Sequence, residues 1–352
     1  MKPARATDGQ ELVHFGHLQF RARHLRAGLL LLGVAAALSL VSTMIGVTRI
    51  GGSDITALLR GGLVDDAGFA LREVRLPRIA AGFMAGWCVA LTGAMLQSLA
   101  RNPLADPGLL GLSQGSMVMI LLLILFAPAA PPMLLPFAAM TGALAVALAL
   151  VLLVGRGGAG GLALLLMGIA VETMLSSVTQ ILILYSPPDM SYALSNWLAG
   201  SLSGADPAAV LALLPWFLFS LGMAVWLGRS LSTYDLGQDL AMSLGENVNR
   251  SRPLILVVSV LLSSAAVTAA GPLAFLGVMA PHLAGFLSPA SGRPRLILSG
   301  LMGAVLVIAA DMLTRSVSGE LALPLGLSLT LVGVPLFVIS LRLRALKTLS
   351  NR

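Results

Sequence analysis

Two acidic side chains, Glu172 and Asp311, stand inside the long apolar stretches of this 352-residue chain. A carboxylate in such a setting costs roughly 2.5–3.5 kcal/mol on membrane-insertion scales, and it is kept for ion binding, a polar path or pairing with a cation. Asp311 lies four residues before Arg315, the spacing of an intrahelical ion pair, which accounts for it without transport chemistry. Glu172 divides evenly between a structural hydrogen-bonding role and a place on a polar pathway. Other chemistries lack their residues. The two lysines, Lys2 and Lys347, follow no glycine-rich phosphate loop, so ATP hydrolysis by that route is excluded. His14, His17 and His24 sit in a polar N-terminal stretch and His282 near the end of an apolar one, and no His, Cys, Asp and Glu cluster has metal-ligand spacing. Cys88 is the single cysteine, which rules out a disulfide framework, and no nucleophile elbow is present.

The elements that carry these residues follow from composition. The chain is 57% hydrophobic and 11% charged, with a mean hydropathy of +0.93. Soluble domains average about 25% charged residues, so this chain is an integral membrane protein. A membrane-spanning helix needs about 20 apolar residues. Single spans are expected at 27–48, 79–100, 162–184, 207–228, 296–314 and 321–341. The uncharged stretch 107–155 folds into two at its proline-rich turn, 127–136, and 253–292 into two short helices broken near Gly271-Pro272. The expectation is an all-α polytopic bundle of about ten transmembrane helices, since only helices or closed barrels satisfy the backbone in lipid and no period-2 alternation suggests a barrel. A polar leader, 1–26, precedes the membrane domain, 27–345, and a short tail, 346–352, follows it.

An even number of spans puts both termini on one side. With that side cytoplasmic, sixteen of the 22 basic residues fall inside and six outside, which sets the orientation as N-in, C-in. The net charge of +7 therefore reflects membrane topology and calls for no nucleic acid. The six outer residues are Arg49, Arg60, Arg72, Arg75, Arg78 and Arg315. Three of them, Arg72, Arg75 and Arg78, are spaced three apart. They read either as an interfacial helix snorkelling to lipid phosphates or as a landing site for an acidic partner.

Several motifs occur in one order. Gln97-Ser-Leu-Ala-Arg101-Asn102-Pro103-Leu-Ala-Asp106-Pro107-Gly108-Leu-Leu-Gly111 is a compact turn in which prolines stop one helix and Asn and Asp cap the next. With it stand Val74-Arg75-Leu76-Pro77-Arg78, Phe275-Leu-Gly277-Val-Met-Ala-Pro281-His282, Ala309-Ala-Asp311-Met-Leu-Thr-Arg315, and Leu323-Pro324-Leu-Gly326 followed by Gly333-Val-Pro335-Leu-Phe337. Over about residues 27–345 the chain resembles the FecCD-type permease subunit of ATP-binding-cassette importers for iron–siderophore, haem and cobalamin.

The resemblance implies a type II importer permease fold that works as a dimer, of two copies or a copy and a paralogue. Two ATPase subunits would sit below it, consuming ATP and Mg²⁺, and a periplasmic substrate-binding protein above it. The chain itself would bind no cofactor and catalyse nothing. The resemblance further implies that Arg75 and Arg315 receive acidic residues of the binding protein, while Arg78 stabilises the loop. It places ATPase coupling in the loop 232–252, at Leu236, Gly237, Ala241, Leu244, Gly245 and Glu246, as two short helices joined by glycines. It places a cytoplasmic gate at 157–162, including Gly160, Gly161 and Leu162, here without hydroxyl groups. The chain departs from the family pattern at Gly285, at Ala322 with Glu320 two residues earlier, and across 288–295. Trp197 follows the fifth span as an interfacial anchor or part of an outer mouth, and the sixteen methionines are read as packing filler.

The functional expectation is a multi-pass subunit of the bacterial inner membrane that moves an iron chelate, haem or cobalamin-like substrate inward. An ion-gradient carrier using Glu172 is the rival, and a non-transporting membrane enzyme or scaffold is disfavoured.

Overall fold

A computed structural model describes residues 4–5, 11–15, 18–46, 50–51, 54, 57, 66–131, 134–154, 161–186, 197–316 and 323–350. Its membrane-scale helices are α1 (Ala22–Met44), α2 (Asp66–Ala100), α3 (Leu112–Phe126), α4 (Leu135–Val154), α5 (Gly161–Leu184) and α6 (Pro207–Tyr234). After a short α7 (Gln238–Ser243) come α8 (Val248–Ala270), α9 (Leu276–Leu287), α10 (Gly292–Ser316) and α11 (Leu325–Ser350). Seven helices among the described residues are long and apolar enough to cross a membrane, and α3, α4 and α9 contribute shorter apolar stretches. Each expected span is matched by a helix, and both uncharged double stretches break where glycine and proline were read as turns.

The boundaries differ in three places. Helix α1 starts at Ala22, inside the expected leader, and α6 continues to Tyr234. The leader also carries a three-stranded antiparallel sheet of Ala4–Arg5, Glu11–Phe15 and Leu18–Arg21, paired in sequence order. Helix α11 runs through most of the expected tail.

Small residues decide how the helices pack. Without a hydrophobic force between helices in lipid, association relies on close contact of backbones. Helix α2 is the hub, with Ala81, Ala85, Cys88, Ala90, Leu91, Ala94 and Met95 fully buried. A Cβ on Gly86 would lie 2.6 Å from the carbonyl oxygen of Gly303 on α10, and one on Gly93 would overlap the carbonyl of Gly277 on α9. Between these two contacts Trp87 lies on Gly300, where a Cβ would be 2.6 Å from its ring, and donates to Ser220 Oγ on α6 at 2.9 Å. Phe217 meets the same indole edge-on at 5.7 Å.

Helix α9 has only 12 residues, about 18 Å at 1.5 Å per residue. It starts after an irregular link whose ends, Gly271 (φ 68) and Phe275 (φ 61), lie in left-handed conformations. The Ala270 carbonyl accepts from Ser201 N at 2.9 Å, and Gly326 N donates to Ala199 O at 2.9 Å. One segment, 199–201, thereby joins the end of α8 to the start of α11.

The glycine contacts are testable. Gly93→Ala should lower the stability of the detergent-solubilised protein by about 1–3 kcal/mol, the cost of an overpacked core. Gly222→Ala on α6, where a Cβ meets nothing within 4 Å, should be neutral or gain up to about 1 kcal/mol from helix propensity. Thermal unfolding of both variants beside the parent checks the ordering.

Candidate functional site

The outer arginines converge on the C-terminal end of α1. Arg315 Nη1 donates to the carbonyls of Ser42 at 3.0 Å and Ile45 at 2.9 Å, and Nη2 donates to Ser42 Oγ. Arg75 Nη1 donates to the Thr43 carbonyl, and a Cβ on Gly46 would lie 2.8 Å from Arg75 Nη2. The last carbonyls of a helix lack intrahelical donors and carry its negative dipole end, and two guanidinium groups meet both needs. The π-helical turn Ala70–Arg75 at the head of α2 brings Arg75 inward and leaves Arg72 and Glu73 exposed.

Asp311 completes this cluster. Arg78 Nε donates to its Oδ1 at 2.7 Å, and Arg315 Nε pairs with its Oδ2 at 3.0 Å. The intrahelical Asp311–Arg315 pair is as the spacing suggested. The second arm, from Arg78 on α2, had no signal in the sequence. Arg75 and Arg315, expected to receive acidic residues of an outside partner, are both engaged with α1, and Arg75 is only 5% exposed.

The segment 101–111 folds back against the bundle. Arg101 (φ 50) ends α2 in a left-handed conformation, and Asn102 Oδ1 accepts from Leu104 N at 2.9 Å. Pro103 forms the turn. Asp106 Oδ1 accepts from Gly108 N at 2.7 Å, capping the 3-10 helix Pro107–Leu110. Its Oδ2 is buried without a fixed hydrogen bond, against Gly277 at the start of α9. Burial pushes the Asp106 carboxyl up to about 6, opposed by the amides of Gly108, Val278 and Gly277. Gly111 (φ 71) packs on the backbone of Glu172, where a Cβ would come within 3.1 Å, and the Glu172 side chain is half-buried. Pro281 is buried in α9, and the half-buried His282 ring lies 4.6 Å from Phe337 of α11. Pro324 caps the approach to α11, its carbonyl accepting from Ser328 N at 3.0 Å, and Gly326 packs on Ala199.

At the other end lies the predicted coupling loop, which contains one short helix, α7, where two were expected. Gly237 (φ 113) precedes α7, and Gly245 (φ 86) ends it. The amide of Glu246 donates to Ala241 O at 2.9 Å and that of Gly245 to Met242 O at 3.0 Å, a paired C-terminal cap that requires a left-handed residue between them. Ala241 is buried beneath the helix, while Leu236, Leu240, Met242 and Leu244 are exposed. Arg295 Nη1 donates to Asp235 Oδ1 at 3.0 Å and Ser98 Oγ at 2.9 Å, and Nη2 donates to Gln97 Oε1 at 3.0 Å. Neither Arg295 nor Asp235 was singled out from the sequence, since nothing local marks a pair 60 residues apart. Of the predicted gate, Gly161 and Leu162 open α5, and Gly160 lies outside the described residues.

Among the described residues no three His, Cys, Asp or Glu gather as a metal site. An apolar cavity of about 140 Å³ lined by Met140, Leu213, Trp216 and Thr268 lies apart from both charged clusters.

The profile of the FecCD transport family matches residues 31–343. The Fe(3+)-citrate import system permease protein YfmE of Bacillus subtilis is 34% identical over 92% of this chain and 97% of its own length. The Fe(3+) dicitrate transport system permease protein FecD of Escherichia coli is 34% identical over 77% of this chain and 84% of its own. A solved transporter of metal-chelate ABC type, in an inward-facing conformation, superposes with a TM-score of 0.80 at 23% identity, covering 90% of this chain and 99% of that one, a likeness of fold.

The two-armed pairing of Asp311 predicts an ordering. Asp311→Asn leaves two partly buried cations without their carboxylate and should cost about 3 kcal/mol, the scale of losing one member of a buried pair. Arg78→Gln keeps the Arg315 arm and should cost less. Equal losses in unfolding of the purified chain would count against the shared carboxylate.

Proposed function

The chain belongs to the FecCD transport family, and from that premise we propose that it is the membrane-spanning permease subunit of a binding-protein-dependent importer. It carries a ferric chelate or haem inward across the bacterial inner membrane. It pairs with a second copy or a paralogue and receives its driving energy from two ATPase subunits. The observation that carries this reading is α7, a single-turn platform with Leu236, Leu240, Met242 and Leu244 exposed around a buried Ala241. Exposed apolar residues on a glycine-bounded helix, at the end where the basic residues concentrate, suit the groove of a partner protein. Nucleotide states of that partner would shift the permease between two conformations through their different affinities for each.

The same reading places a soluble binding protein on the outer face near Arg75 and Arg315. Both guanidinium groups are engaged by carbonyls of α1. An incoming carboxylate competes well for them, because charge-assisted hydrogen bonds are about twice as strong as neutral ones. An ion-gradient carrier would rest on Glu172 alone, since Asp311 is paired with two arginines.

Two measurements test this. Leu240→Asp should reduce recovery of a co-expressed cassette ATPase with the tagged permease by about tenfold, the scale of 1.4 kcal/mol, and parental recovery would overturn the coupling assignment. Arg75→Gln, in protein that unfolds at the parental temperature, should weaken capture of the binding protein by about tenfold at moderate salt. Unchanged capture would leave Arg75 a purely structural role.

A further inference from the structure

The turn that leads into α7 is tied to the bundle by Arg295. Arg295, in the first turn of α10, reaches Asp235 Oδ1 in that turn, Ser98 Oγ and Gln97 Oε1 near the end of α2. Gln97 then passes the link on. Its Nε2 donates to the carbonyl of Gly277 at 3.1 Å, the second residue of α9. Arg101 adds a second contact, since a Cβ on Gly237 would lie 3.1 Å from its Nη1.

Helix α10 links Arg295 to Arg315 at the opposite end of the bundle. Twenty residues separate Arg295 from Arg315 on one unbroken helix, about 30 Å. Its middle is locked to α2 by the Gly86–Gly303 and Trp87–Gly300 contacts. Its far end holds Asp311 and Arg315, bound to Arg78 of α2 and to α1. A shift of the Asp235–Gly237 turn therefore acts on a stiff two-helix strut with a charged cluster at either end, and through Gln97 on the start of α9.

We propose that Arg295 is the positioning residue that transmits movement of α7 to α9 and to the outer ends of α1 and α10. This rests on the reading of α7 as the ATPase-docking helix. The Arg295 and Asp235 side chains are 22% and 23% exposed, a setting in which an ion pair adds little to folding stability. The worth of the guanidinium lies in geometry. Its planar fork fixes three acceptors, two at the end of α2 and one in the turn before α7, at set angles, which an ammonium cannot do.

The experiment uses the assembled permease–ATPase complex in lipid vesicles, with Ser316→Cys introduced at the exposed outer end of α10. The readout is the change in the rate of labelling by a membrane-impermeant maleimide on trapping the ATPase with MgATP and vanadate. Arg295→Gln and Arg295→Lys should both keep the ATPase bound and hydrolysing, and reduce the trapping-dependent change by about fivefold or more. Asp235→Asn should do the same, and combining it with Arg295→Gln should add nothing further. A parental response in Arg295→Gln overturns the proposal, and so does loss of the ATPase from that variant, which would make Arg295 part of the docking surface. Leu240→Asp serves as the separate control. If it too retains ATPase and response, the assignment of α7 fails; if it alone loses them, only the relay fails.

Discussion

Everything in this bundle depends on how closely α2 can approach its neighbours. Lipid tails solvate a leucine as well as another helix does, so the energy that holds helices together must come from short-range contact. At Gly86 with Gly303 and Gly93 with Gly277, backbone meets backbone with no room for a side chain. These contacts fix α2, α9 and α10 as one body. The polar groups along them are then close enough to find each other, as Gln97 does with the Gly277 carbonyl and Arg78 with Asp311. A methyl group at Gly93 would separate the first pair before it touched any charge.

The chain has few charges, and it uses those that hold helices together more than once. Asp311 serves two arginines, and one of these also caps α1. Arg295 serves three acceptors. Sharing of this kind lets a low-dielectric interior hold ionised groups, because one carboxylate offsets the desolvation of two cations. It also ties helices far apart in sequence into a small number of clusters at the two ends of the bundle.

Much of this was legible in the residues, for reasons that differ by element. The ten spans were readable because uncharged runs of that length have few other uses, and the breaks at Gly271-Pro272 and 127–136 because glycine and proline interrupt helices. Asp311 with Arg315 was readable because four residues is one helical turn. The share taken by Arg78 was not, since it joins residues 233 apart. The loop 232–252 was read as two short helices and holds one. Its glycines were taken as joints between two helices, whereas Gly237 begins one helix and Gly245 ends it. Arg75 and Arg315 were read as charges for an outside partner, and their engagement with the carbonyls of α1 was not foreseen, because a backbone acceptor leaves no trace in a sequence.

The brevity of α9 bears on how the chain is made. Twelve residues fall well short of the ~30 Å hydrocarbon core, and the irregular backbone on the N-terminal side of α9 is tolerated at that depth only when enclosed by protein. That enclosure comes from α2 and the 101–111 segment, which pack on Gly277. The position of α9 is then set by assembly of the bundle more than by its own hydrophobicity.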